Sequence, residues 1–342
     1  MKVLLTGHNG YIGAVMGPRL LAAGHDVESI DSMFFEDCVF GESAPALNSP
    51  PKDIRDVTED DLKGFDAIIH LAALSNDPLS DLDPRLTYEI NHEATIRLAK
   101  IAKEVGVSRF LYSSSCSMYG ASAAGGDELT EEAPLTPITP YSESKVRSEE
   151  QLVELADADF SPVFLRNATA YGVSQKLRAD VVLNNFVCWA FTTGEVRILS
   201  DGLAWRPIVH VEDISHAFEV LMTAPRNLVH NQAFNVGVPG ENFRVRELAD
   251  IVGETVPGCS VTYGEGGHDD RSYRVDFSKI TNTIAEYQPN WTAAKGALQL
   301  YSAFKVSGLT TEDFQGKRYV RLNQLSFLME SGRLDANLKW NN

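Results

Sequence analysis

The chain opens on an apolar run, residues 3–6, and passes through a polar, glycine-rich turn into a stretch over 11–23 whose apolar positions recur with helical spacing. The same alternation continues through the first two thirds of the sequence. Apolar runs at 27–31, 67–71, 110–113, 163–166 and 233–236 predict strands, and periodic stretches at 85–105, 141–155, 181–192, 211–223 and 245–256 predict helices. Runs that are apolar throughout mark strands buried on both faces, and helices between them mark parallel crossovers. The fold class is therefore α/β, with a doubly wound parallel sheet. The alternation breaks after Gly172 and resumes over 207–237. This predicts one domain of residues 1–172 and about 207–237, and a smaller discontinuous α/β domain of about 173–206 and 238–342, with a ligand cleft between them at the C-terminal ends of the strands. From about Leu309 an extension carries a helix-like pattern at Tyr319, Leu322, Leu325 and 327–329. It is expected to pack on its own domain, with a role in covering the site as the alternative.

Composition narrows the function classes. With 342 residues, 44% of them hydrophobic, the chain can bury a full core. A net charge of −17 argues against a nucleic acid or an anionic membrane as partner. It does not argue against a phosphate-bearing small molecule, because distant charge is screened over roughly 8–10 Å. The four cysteines and eight histidines are scattered, without metal-ligand spacing, so no metal is expected and a reducing cytoplasm fits best. MKVLLT begins as a strand rather than a targeting leader, and no run reaches the roughly 18 apolar residues of a membrane span.

Three constellations carry chemistry. Thr6-Gly7-His8-Asn9-Gly10-Tyr11-Ile12-Gly13 lies between a strand and a helix. Gly7 permits the tight turn, Gly10 lets a pyrophosphate approach the backbone, and Gly13 allows close packing at a helix N-terminus that favours anions. Asp31, ending the second strand, stands where a carboxylate binds the adenosine ribose hydroxyls and repels a 2′-phosphate, so NAD is favoured over NADP. The pattern is that of a Rossmann dinucleotide site. Tyr141 and Lys145 in PYSESK are four residues apart and share a helix face. An ammonium beside a phenol favours the phenolate and makes Tyr141 a base for an alcohol proton. The serine-rich run 113–117 leaves a strand at its C-terminal end, and Ser115 is the candidate to bind the reacting oxygen.

These motifs resemble the extended short-chain dehydrogenase/reductase family, in particular its NAD-dependent sugar-nucleotide epimerases and dehydratases, over roughly residues 1–280. TGHNGYIG is similar to that family's TGxxGxxG, which adds Asn9, Tyr11 and Ile12 to the cofactor candidates. Asp53 and Ile54 resemble its adenine contact, and Leu71, Ala72 and Ala73 in HLAA its loop beside the dinucleotide. Asn91 is similar to a structural asparagine of the family, and 234–237 to a late strand. Ser115, Tyr141 and Lys145 match its catalytic triad. The resemblance implies a nucleotide-diphosphate sugar as substrate, with Ser75, Ser117, Asn185, Arg206 and Arg271 on the substrate side.

The resemblance also implies oxidation of a sugar alcohol, at C4, to a keto intermediate. Cys116 and Ser117 stand where dehydratases carry Asp-Glu, and Ser117 where decarboxylases carry Glu. Simple epimerisation therefore makes the fewest further demands. The alternatives are a 4-dehydrogenase or ketoreductase that exchanges NAD(P), a dehydratase, and a non-catalytic dinucleotide-binding protein. Thr169 and Val173 depart from the family's NVYGP stretch. A homodimer through the helices at 85–105 and 141–155 is implied as well.

Overall fold

The computed structural model describes residues 1–41, 47, 49–75, 77, 83–120, 127–266 and 272–341. Six parallel strands form the main sheet: β1 Lys2–Thr6, β2 Asp26–Ile30, β3 Ala67–His70, β4 Arg109–Ser115, β5 Ser161–Asn167 and β6 Gln232–Val236. Their spatial order is β6-β5-β4-β3-β1-β2. All six sit where the apolar runs placed them, within two residues. Side chains of successive strand residues point to opposite faces, and the core divides accordingly. Val3, Leu5, Ile69, Leu111 and Val163 join one cluster, while Leu4, Ile68, Phe110, Tyr112 and Phe164 join the other.

Helices α1 (Gly13–Ala22) and a later one, Val211–Thr223, supply Met16, Leu20, Ile214 and Phe218 to the first face. The second face is covered by α2, a rod made of Pro84–Tyr88, a π-turn Glu89–Glu93 and Ala94–Glu104, together with α3, Pro140–Leu155. Both long helices match their expected ranges. The π-turn does not show in the hydrophobic pattern.

A second unit packs α4 (Val182–Thr193), α5 (Val245–Thr255) and α6 (Ala293–Ser307) around Leu183, Val187, Leu248, Val252, Leu300 and Phe304. Its strands are short: Trp205–His210 pairs with Thr169–Tyr171 and Asn242–Arg244, and Glu195–Ile198 pairs with Ser260–Tyr263. The grouping of 238–342 into this unit needs correction at its end. Helix α7, Arg321–Glu330, and the segment after it insert Leu325, Leu328, Leu334 and Leu338 beside Leu4, Ile30 and Ile54 of the main sheet's second face. The reason is local: no strand forms between Ser32 and Asp66 among the described residues, which leaves apolar surface next to β2 for the C-terminal segment to bury.

The chain crosses from β1 to β2 on one side and returns to β3 on the other, so a crevice opens beyond the C-terminal ends of β1 and β3. Among the described residues no helix is long and apolar enough to cross a membrane.

Candidate active site

The glycine turn at the end of β1 is fixed by backbone contacts. Gly7 has a positive φ of 79°, and its N–H donates to Ile30 O at 2.8 Å. A Cβ at Gly13 would lie 2.2 Å from Gly7 O and 2.6 Å from His8 Cα. Neither atom can move without opening the turn, so Gly13→Ala should weaken NAD binding by roughly tenfold or more, about 1.4 kcal/mol or more. Calorimetric titration of the variant with NAD checks this. Asp31 clamps the turn: its Oδ2 accepts the Asn9 N–H at 2.9 Å and its Oδ1 accepts the Met33 N–H at 2.7 Å.

The opposite wall is the loop after β3. Leu71 N–H donates to Thr6 O at 3.2 Å, and Asn91 holds the loop from behind. Its Oδ1 accepts Leu74 N–H at 2.8 Å, and its Nδ2 donates to Leu74 O at 3.0 Å. Asn91 lies in the π-turn of α2, a distortion that commonly marks a functional region.

One cavity of about 520 Å³ joins these walls to the reaction residues. Gly7, Gly10, Tyr11, Ile12, Gly13, Asp31, Asp53, Ile54 and Leu71 to Ala73 line one part of it; Ser115, Tyr141 and Lys145 line another; Ser75, Ser117 and Arg206 also face it. The Asp53 carboxylate is already engaged, 2.7 Å from Arg55 Nη2 and 3.2 Å from Lys339 Nζ. Asn9 holds Asp31 from outside the lining. Asn185 is also outside it, its Nδ2 donating to Ala179 O at 2.9 Å. Its neighbour Asn184 is fully buried and donates to the Tyr11 hydroxyl at 3.0 Å. Arg271 lies outside the described residues.

Helix α3 sets the reaction residues. Thr139 caps it with Pro140 at its first position, which fixes where the helix starts and so where Tyr141 and Lys145 project. Lys145 is buried; its Nζ donates to Ser113 O at 2.8 Å and lies 5.7 Å from the Tyr141 ring centroid. Burial pushes the Lys145 ammonium down to about 7. Burial also pushes the Tyr141 phenol up to about 12, against the hydrogen bond with Ser115 that pulls it down. The Ser115 hydroxyl in turn donates to Ser117 Oγ at 2.9 Å. Cys116 faces the core, its Sγ donating to Arg166 O at 3.0 Å, and burial raises its thiol well above the ordinary range. It is inert packing.

Two arginines were missed by sequence reasoning. Arg178 lines the cavity with Nε and Nη2 on Asp180, at 2.8 and 3.0 Å, and Nη1 on Ser75 Oγ at 3.3 Å. Arg321 reaches the same cavity from α7. Arg178 stands in a loop without a pattern. A weak signal existed for Arg321, which continues the stripe of Leu325 and Leu328 at i, i+4 and i+7.

The profile of the NAD dependent epimerase/dehydratase family matches residues 3–237. The chain belongs to this family. Its members are NAD-dependent enzymes acting on sugar nucleotides. A UDP-glucose 4-epimerase of Mycolicibacterium smegmatis is 30% identical over 321 residues, covering 89% of this chain and 99% of that protein. UDP-glucuronic acid decarboxylase 1 of Arabidopsis thaliana is 27% identical, covering 92% of this chain and 72% of that protein. MoeE5 in complex with UDP-glucose and NAD superposes with a TM-score of 0.76 at 26% identity, covering 90% of this chain and all of that one (100%). The cavity fits the family's cofactor: a glycine turn that admits no Cβ at Gly13, a carboxylate at Asp31, and a buried guanidinium nitrogen on Arg321 without a protein partner among the described residues.

Proposed function

We propose that this member of the family is a nucleotide-sugar 4-epimerase that retains its NAD. The observation carrying the reading is one cavity that holds Ser115, Tyr141 and Lys145 while positions 116 and 117 offer a buried thiol and a hydroxyl in place of acids. Bound NAD supplies a hydride acceptor that becomes a donor in the reverse step. The residues of the chain handle the proton and the oxygen. Ser115 hydrogen-bonds the reacting oxygen and the Tyr141 phenol, and Tyr141 takes the alcohol proton and returns it. Lys145, kept close by Ser113 O, stabilises the charge that forms on Tyr141. Arg206, Ser75 and Ser117 bind the sugar nucleotide, with Arg271 assigned to the same side. Asp31 takes the adenosine ribose.

Dehydration is the second reading. Asp77 lies near enough to Tyr141 to raise its pKa, and it accepts the Thr139 hydroxyl at 2.8 Å. A carboxylate there could serve an elimination.

Incubation of the purified protein with UDP-glucose, UDP-galactose and UDP-glucuronate, followed by NMR and mass spectrometry, separates these. Epimerisation gives interconversion at constant mass with no net NAD(H) consumption; loss of 18 mass units would replace it with dehydration, and stoichiometric NAD(H) consumption would sink both readings. We also assign a homodimer to the α2 and α3 surfaces, and light scattering at the monomer mass would refute it.

A further inference from the structure

Arg321 belongs to α7, outside the span matched by the family profile, and is 3% exposed. Its Nη2 donates to Lys176 O at 2.7 Å, and its guanidinium lies 4.2 Å from the Phe35 ring centroid. Its Nη1 is buried without a hydrogen-bond partner among the described residues. A guanidinium has five N–H donors and accepts nothing, so a buried one is completed by an acceptor oxygen, preferably anionic. The nearby carboxylates are committed elsewhere. Asp31 is held by the Asn9 and Met33 amides, and Asp180 by Arg178.

Position identifies the missing partner. Arg321 lines the same cavity as Gly7, Gly10 and Gly13 of the glycine turn and as Asp31 at the end of β2. Arg178 lines the cavity as well, and burial together with that neighbour pulls the Arg321 guanidinium down to about 10, still charged at neutral pH. A positive group in the cavity that the glycine turn and the start of α1 also line suits a diphosphate resting on that terminus.

We propose that Arg321 donates Nη1 to the pyrophosphate of NAD, so that the C-terminal segment completes the cofactor site. The segment is secured for this purpose: Gln324 Nε2 donates to Phe34 O at 3.1 Å, Trp340 Nε1 to Ser32 O at 2.6 Å, and Lys339 pairs with Asp53. These contacts tie it to the loop that follows Asp31. The proposal rests on the NAD dependence of the family and not on the 4-epimerase reading, so it stands or falls separately from the product formed.

The test is calorimetric titration of the full-length protein, stripped of nicotinamide, with NAD, ADP-ribose, adenosine and UDP. Arg321→Met should weaken NAD and ADP-ribose by about 10- to 100-fold, the range of one charge-assisted hydrogen bond, and leave adenosine unchanged. Because the substitution removes an incompletely paired buried charge, the Tm of the ligand-free protein should hold or rise. NAD affinity within threefold of the parent would overturn the proposal. So would equal losses for adenosine and NAD, which would make Arg321 a structural support, or a loss confined to UDP, which would place it on substrate. If Arg321→Met does not fold, Arg321→Gln carries the same comparison, with the same selective loss expected and the same outcomes overturning it.

Discussion

Tyr141→Phe should lower turnover by about 10²- to 10⁴-fold, the range for loss of a positioned acid–base group, while sugar-nucleotide and NAD affinity change little. The change removes one hydroxyl whose partner is Ser115 and leaves the ring in place beside Lys145. Thr139 and Pro140, which start α3, are untouched, so the helix should fold unchanged. The pH profile supplies a readout that a packing role would not move. Burial holds the Tyr141 phenol up at about 12, so it is neutral through the physiological range until charge beside it favours the phenolate. The parent enzyme's kcat/KM should accordingly climb as pH rises toward about 7, where the Tyr141–Lys145 pair gives up its first proton, and the residual rate of the variant should lose that limb. A Phe variant retaining more than a tenth of parental turnover would remove Tyr141 from the chemistry and with it the case for an enzyme built on this triad.

The parts of the site that were legible in the sequence are those whose geometry is local. Tyr141 and Lys145 are one helical turn apart, and the glycine turn is a strand-to-helix junction, so periodicity alone places them. Main-sheet strands were legible because burial on both faces makes them apolar throughout, as at Leu4 and Leu5, which enter opposite core clusters. Contacts made by tertiary return were not legible. Arg178 and Arg321 are 143 residues apart, by difference of their numbers, and meet only because α7 crosses back to the main sheet. Asn184 and Asn185 show a finer limit. Adjacent helix positions point about 100° apart, and only the packed structure says that Asn184 braces Tyr11 while Asn185 turns to Ala179 O.

Lys145→Met should reduce turnover by a comparable factor of about 10² or more, yet make the ligand-free protein less sensitive to acid. Burial pulls the Lys145 pKa from 10.5 down to about 7, so between those values the unfolded chain binds a proton at this position that the folded chain does not. Stability then rises with pH across that window. The contribution is fully present above 10.5, fades as pH falls, and is lost below about 7, where folding must bury the ammonium. Methionine has no such penalty. The Tm of the variant relative to the parent should therefore improve progressively as pH falls from about 10 to about 6, even with the bond to Ser113 O removed. A Tm difference that stays constant over this range would mean Lys145 is not desolvated as the structure has it. A buried lysine that costs stability at neutral pH persists for what it does to its neighbour: its charge is within 5.7 Å of the Tyr141 ring, where a phenolate must form during turnover. Loss of activity combined with improved acid tolerance in the same variant would identify that trade directly.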